Sequence, residues 1–66
     1  MILTLNGKQE SMEKSVSLDA LITARKLCPE KIVVEHNFRI IAKEDWSKVM
    51  LKDQDMIEII SFVGGG

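Results

Sequence analysis

Apolar and polar positions alternate at both ends of the chain and recur at helical spacing between them. Met1-Ile2-Leu3-Thr4-Leu5 is a short run of strand formers, followed by Asn6-Gly7. Asn-Gly suits a two-residue type I′ turn, in which both central residues take φ > 0. The pattern predicts a β-hairpin whose return strand spans Lys8 to Glu13. That second strand is unusually polar, which is how natural sheets protect an exposed edge.

From Ser17 the period changes. Leu18, Leu21, Ile22 and Cys28 fall on one helical stripe, with Ala24 and Leu27 beside it. Ser17 is the expected N-cap, and Asp19 in the first turn suits the helix dipole. Arg25 and Lys26 are expected in the last turn, and Pro29 bars continuation beyond Cys28. Lys31 to Glu35 then reads as a β-branched strand, His36-Asn37-Phe38-Arg39 as a turn and Ile40-Ile41 as a short strand. Lys43 to Val49 reads as one helical turn or a 3₁₀ piece carrying Trp46. Asp53-Gln54-Asp55 is another turn, and Met56 to Phe62 the last strand.

The predicted order is β-β-α-β-β-β. In a chain of 66 residues this implies an α+β domain, a mixed sheet with one helix packed across one face. Side chains alternate faces along a strand. Ile57 and Ile59 therefore share one face of the last strand, while Glu58, Ile60 and Phe62 share the other. If the helix covers Ile57 and Ile59, then Ile60 and Phe62 sit on the open face beside the chain end, where they would form a docking surface unless a neighbouring loop buries Phe62.

Composition narrows the function classes. The charges, 9 basic and 10 acidic, are scattered, and no basic run of the kind that neutralises phosphates is present. Three aromatic residues, Phe38, Trp46 and Phe62, are too few for a base-stacking platform. The longest apolar run, Ile57 to Val63, is far short of the ~20 residues of a membrane span. Nucleic acid and membrane are not expected partners. A single cysteine, Cys28, cannot make an internal disulfide, which suits a reducing, cytoplasmic location. A domain of this size has no room for a deep cleft built from several loops, so a carrier or binding module is expected rather than an enzyme.

The chemistry is expected in Gly64-Gly65-Gly66, with residues 1–62 as the folded domain and 63–66 as a flexible C-terminal tail. Without Cβ atoms such a tail is slim, and its three glycines extend about 10 Å, enough to thread a narrow channel. It presents one reactive group, the α-carboxylate of Gly66. That carboxylate is a poor electrophile until a partner transfers AMP to it, after which a sulfur donor can displace the AMP. Fixing three glycines costs on the order of 3–6 kcal/mol of backbone entropy, which contacts from Ile60 and Phe62 would offset.

Other residues are expected to be structural. Cys28 on the apolar stripe reads as a small buried hydrophobe. His36, the single histidine, lacks further ligands at metal-binding spacing and reads as a plain turn residue. Trp46 reads as a core plug. Glu44-Asp45 and Asp53/Asp55 read as solvated turn caps. No metal site and no bound cofactor are expected.

The sequence resembles the bacterial sulfur carrier proteins of thiamin (thiazole) biosynthesis, members of the ubiquitin-like β-grasp group. The resemblance runs from Asn6-Gly7 through Ser17-Leu18-Asp19-Ala20-Leu21-Ile22 to Trp46 and Leu51-Lys52-Asp53-Gln54-Asp55. It continues through Ile57-Glu58-Ile59-Ile60 to Phe62-Val63-Gly64-Gly65-Gly66. It implies a β-grasp fold and a co-substrate role. An adenylating enzyme related to the ubiquitin-activating enzymes would adenylate Gly66 with ATP. Sulfur would come from a donor such as a cysteine desulfurase, and the thiocarboxylate at Gly66 would serve thiazole synthase. Free, the carrier would be a monomer. Gly66 is then the reacting residue, with Gly64, Gly65, Phe62 and Ile60 the partner-binding positions. Two positions depart from the family, Phe38 and Gln54, where glycine is usual, and either could change turn geometry. A sulfur carrier for molybdopterin or another product, a conjugating modifier and a plain interaction module are the competing readings.

Overall fold

Five strands and one short helix build the protein in the computed structural model, which describes residues 1–62. The elements are β1 (Ile2–Leu5), β2 (Lys8–Ser11), α1 (Leu18–Ala24), β3 (Ile32–His36), β4 (Arg39–Ile41) and β5 (Met56–Ser61). Two 3₁₀ segments, Pro29–Lys31 and Lys43–Lys48, lie between them. The sheet order is β2-β1-β5-β3-β4. Antiparallel hairpins form both edges, and β1 and β5 pair in parallel at the centre. The expected mixed sheet with one helix is therefore present.

Local chemistry explains most element ends. Asn6 (φ 50°) and Gly7 (φ 81°) both take the left-handed region, as a type I′ turn requires. β2 stops at Ser11, short of the expected Glu13, because Ser11 lies opposite Ile2, where β1 begins. Ser17 caps α1, its Oγ accepting from the Ala20 amide at 3.0 Å.

The helix ends four residues before the expected Cys28. Lys26 turns left-handed (φ 59°), its amide donating to Thr23 O (3.0 Å) and the Leu27 amide to Ile22 O (3.3 Å). This pair of bonds is a Schellman termination with lysine where glycine is usual. Arg25 is consequently the C-cap rather than part of the last turn, and Leu27 folds back against the core. Cys28, released from the helical stripe, is exposed and not the buried hydrophobe expected from the periodicity.

The core lies between α1 and one sheet face: Leu3, Leu18, Leu21, Ile22, Ile32, Val34, Trp46, Leu51 and Ile57. Trp46 plugs it from the second 3₁₀ segment, with its Nε1 donating to Ile41 O at 2.9 Å. The segment after Trp46 is tied to the chain entering the helix by Leu18 N to Val49 O (2.8 Å) and Leu51 N to Val16 O (2.9 Å). Asp53 fixes the start of β1, its Oδ1 accepting from the Ile2 amide at 2.6 Å. Phe38 (φ 71°) and Gln54 (φ 73°) keep the left-handed backbone that glycine favours, so both turns hold their geometry with bulkier residues.

Candidate functional site at the end of the central strand

β5 carries the chain out of the sheet centre toward its glycine end. Register places Ile57, Ile59 and Ser61 on the helix side, where Ile57 is fully buried and Ile59 packs on the core. Ile60 (49% exposed) and Phe62 (59% exposed) are on the open side. The face assignment expected from alternation is the one observed. β5 is held to its end: the Ile59 amide donates to Asn6 Oδ1 (2.7 Å), and the Phe62 amide donates to Lys31 O (3.1 Å). Phe62 is thus hydrogen-bonded beyond the last strand residue, Ser61. Gly64, Gly65 and Gly66 lie outside the described residues.

On the helix side of the same end, the short α1 leaves a groove of about 330 Å³ lined by Leu5, Asn6, Arg25, Leu27, Ile32, Ile59 and Ser61. Arg25 at its rim is paired with Glu10. Lys26 turns the chain between Arg25 and Leu27, two of the groove's lining residues.

At the other end of β5 stands a polar cluster that sequence reasoning misread. His36 is the last residue of β3 and half-buried, with Nε2 2.7 Å from Asp55 Oδ2. Asn37 Nδ2 donates to Asp55 Oδ1 (3.1 Å), the Lys52 amide donates to Oδ2 (2.9 Å), and Asn37 Oδ1 accepts from the Met56 amide (2.9 Å). His36 is therefore not a plain turn residue, and Asp55, 7% exposed, is not a solvated cap. The signal was faint in sequence, since two turns far apart in the chain meet only through sheet pairing. The cluster sits across from Ile57, while the exit of β5 is at Ser61 opposite Ile32, about 13 Å along the strand. It holds the Asn37-Phe38 turn to the start of β5 and takes no part in the chain end.

Burial pushes the Asp55 carboxyl up. Hydrogen bonds from His36, the Lys52 amide and Asn37 more than reverse this, so it lies below its ordinary 3.8. A carboxyl depressed in the fold stabilises it above the unfolded value and loses that contribution as pH falls through the folded one. Asp55→Asn should therefore be less stable at neutral pH, yet lose less stability than the parent below pH 3.8. Melting temperature against pH, measured on both proteins, checks this; parallel acid limbs would refute it.

Among the described residues no three of His, Cys, Asp and Glu form a group able to hold a metal ion. No described helix is long and apolar enough to cross a membrane.

The ThiS family model matches residues 3–66, a span that includes β5 and the three glycines. The chain belongs to the ThiS family. The sulfur carrier protein ThiS of Bacillus subtilis is 41% identical over 66 residues, with 98% of this chain and 100% of that protein covered. A thiazole synthase of Magnetococcus marinus is 33% identical across all of this chain. The chain spans about a fifth of that synthase's length, 20%. The crystal structure of the thiamine biosynthesis protein ThiS from Geobacter metallireducens superposes with a TM-score of 0.86 at 33% identity, covering 100% of both chains. With that neighbour the sheet-and-helix arrangement is the β-grasp type of the family.

Proposed function

We propose that this protein is a sulfur carrier of thiamin biosynthesis, a co-substrate rather than a catalyst, with Gly66 as the reacting residue. The observation that carries this is the exit of β5. A central strand, hydrogen-bonded out to Phe62, delivers the chain directly into Val63-Gly64-Gly65-Gly66 with Ile60 and Phe62 exposed beside it. Family membership and the name of the Bacillus relative support the same reading.

Each step suits the tail. An adenylating enzyme joins the Gly66 carboxylate to AMP from ATP, releasing pyrophosphate and giving a mixed anhydride. The outer sulfur of a donor persulfide, of the kind a cysteine desulfurase carries, attacks the carbonyl carbon and AMP leaves. A second thiol then breaks the S–S bond, leaving a thiocarboxylate on Gly66 and a disulfide on the donor side. The thiocarboxylate passes its sulfur to thiazole synthase. The domain of residues 1–62 is the handle and residues 63–66 the arm; ATP is used by the partner. A free monomer in the cytoplasm fits a single, exposed Cys28 that needs a reducing compartment.

Intact-protein mass spectrometry after incubation with ATP, the adenylating enzyme and a sulfur donor tests the reading. One oxygen replaced by sulfur adds about 16 Da, mapped to Gly66, as covalent carriage requires. An unchanged mass, with the enzyme active on a control carrier, would refute it. A protein–lysine conjugate instead would identify a modifier.

A further inference from the structure

Beyond Ile60 and Phe62, the open sheet face carries an arrangement that the tail chemistry does not use. Glu35 on β3 and Glu58 on β5 are direct cross-strand partners on the side away from the helix. Like charges facing each other across a ladder destabilise a sheet. Among the described residues neither has a cation within salt-bridge distance, although four other acidic side chains are paired. Apolar groups bracket the pair. Ile60 and its partner Val33 lie on the tail side. Ile40, 71% exposed and directly across from Glu35, lies beside the pair on the β4 edge, close in sequence to Phe38, 80% exposed.

We propose that this face seats an arginine of thiazole synthase between Glu35 and Glu58, with apolar side chains of the synthase on Ile60 and Ile40. This inference rests on the sulfur-carrier reading and names the chemistry of the partner surface. A second copy of this chain does not fit, because two such faces would oppose acid to acid. A nucleic acid is excluded by the same charge. Two carboxylates flanked by apolar surface call for a cation that is planar, weakly hydrated and rich in donors. Guanidinium meets those terms better than ammonium. Thiazole synthase is the partner to which the comparisons lead, since its curated relatives carry a stretch similar to this whole chain.

Titration calorimetry of the full chain against the thiazole synthase of the same cell tests it, in about 0.05 M and about 0.5 M salt. The wild-type protein should bind more weakly at high salt. Glu35→Gln/Glu58→Gln should bind roughly tenfold more weakly at low salt and lose most of the salt dependence. Its melting temperature should stay level or rise by a few degrees, as like-charge repulsion is relieved. A merely structural role for the pair would move stability and leave the salt slope alone. Ile40→Ser should weaken binding with the slope unchanged. Glu44→Gln, exposed on the second 3₁₀ segment, should behave as wild type. Wild-type binding by the double variant would overturn the inference and leave the carrier reading standing. Failure of the wild type to bind the synthase, with the 16 Da gain intact, would overturn it as well. Absence of that mass gain is a separate result and counts against the carrier reading itself.

Discussion

Deletion of Gly66 is expected to abolish sulfur loading while leaving the fold intact. The shortened chain still ends in a glycine carboxylate, that of Gly65, so the reacting group has not changed in kind. It has been withdrawn by one residue, about 3.5 Å. Nucleophile and carbonyl carbon must approach to roughly 3–3.5 Å in good alignment, and a misplacement near 1 Å already costs about 10²-fold. Phe62 is hydrogen-bonded to Lys31, so the strand end does not peel away to lengthen the segment that follows it. ATP-dependent mass gain should fall at least a hundredfold, with the melting temperature nearly unchanged, since the described core runs from Leu3 to Ile57. Equal loading of the truncated and full chains would show that length is not read, and would move the reaction away from Gly66.

The second large effect falls on stability. Trp46 is buried and contributes both its ring and an Nε1 bond to Ile41 O. Replacing a buried tryptophan by alanine costs about 3–5 kcal/mol. A domain of this length holds roughly 3–10 kcal/mol in total. Trp46→Ala should therefore lower the melting temperature by more than about 15 °C, or erase the cooperative transition. Trp46→Phe keeps most of the ring and loses the donor, leaving Ile41 O without its partner; about 1 kcal/mol is expected. Thermal melts followed by far-ultraviolet circular dichroism separate the two. A loss below about 5 °C in Trp46→Ala would mean that the cavity collapses around α1.

What could be read from the residues and what could not divide along a physical line. Signals local in sequence were legible: Asn6-Gly7 as a primed turn, Ser17 as a cap, Trp46 in a 3₁₀ plug, and the two faces of β5. Each depends on a few neighbouring residues and a fixed period. The end of α1 was not legible, because the termination uses Lys26 in a conformation that sequence usually announces with glycine. The misplaced helix end carried Cys28 with it, from a buried stripe to an exposed connection. The Asp55 cluster was hidden for another reason. His36 and Asp55 are far apart in sequence and become partners only when β3 and β5 align. The glycine end stands out in the sequence by what its residues lack, and its chemistry is what the mass measurement tests.

The parallel pairing of β1 and β5 has a consequence for how this molecule comes into being. The fifth strand of the domain, made after both hairpins, is the one that sits in the middle of the sheet between them. Until it arrives, β1-β2 and β3-β4 have no common neighbour, and an isolated two-stranded hairpin is marginal in water. Folding therefore waits on contacts between distant parts of the chain, which places it toward the slow end for its size. A chain stalled or clipped before Met56 would lack its centre and offer proteases two unpaired hairpins. Completion of the fold and possession of an intact β5 are in this way the same test.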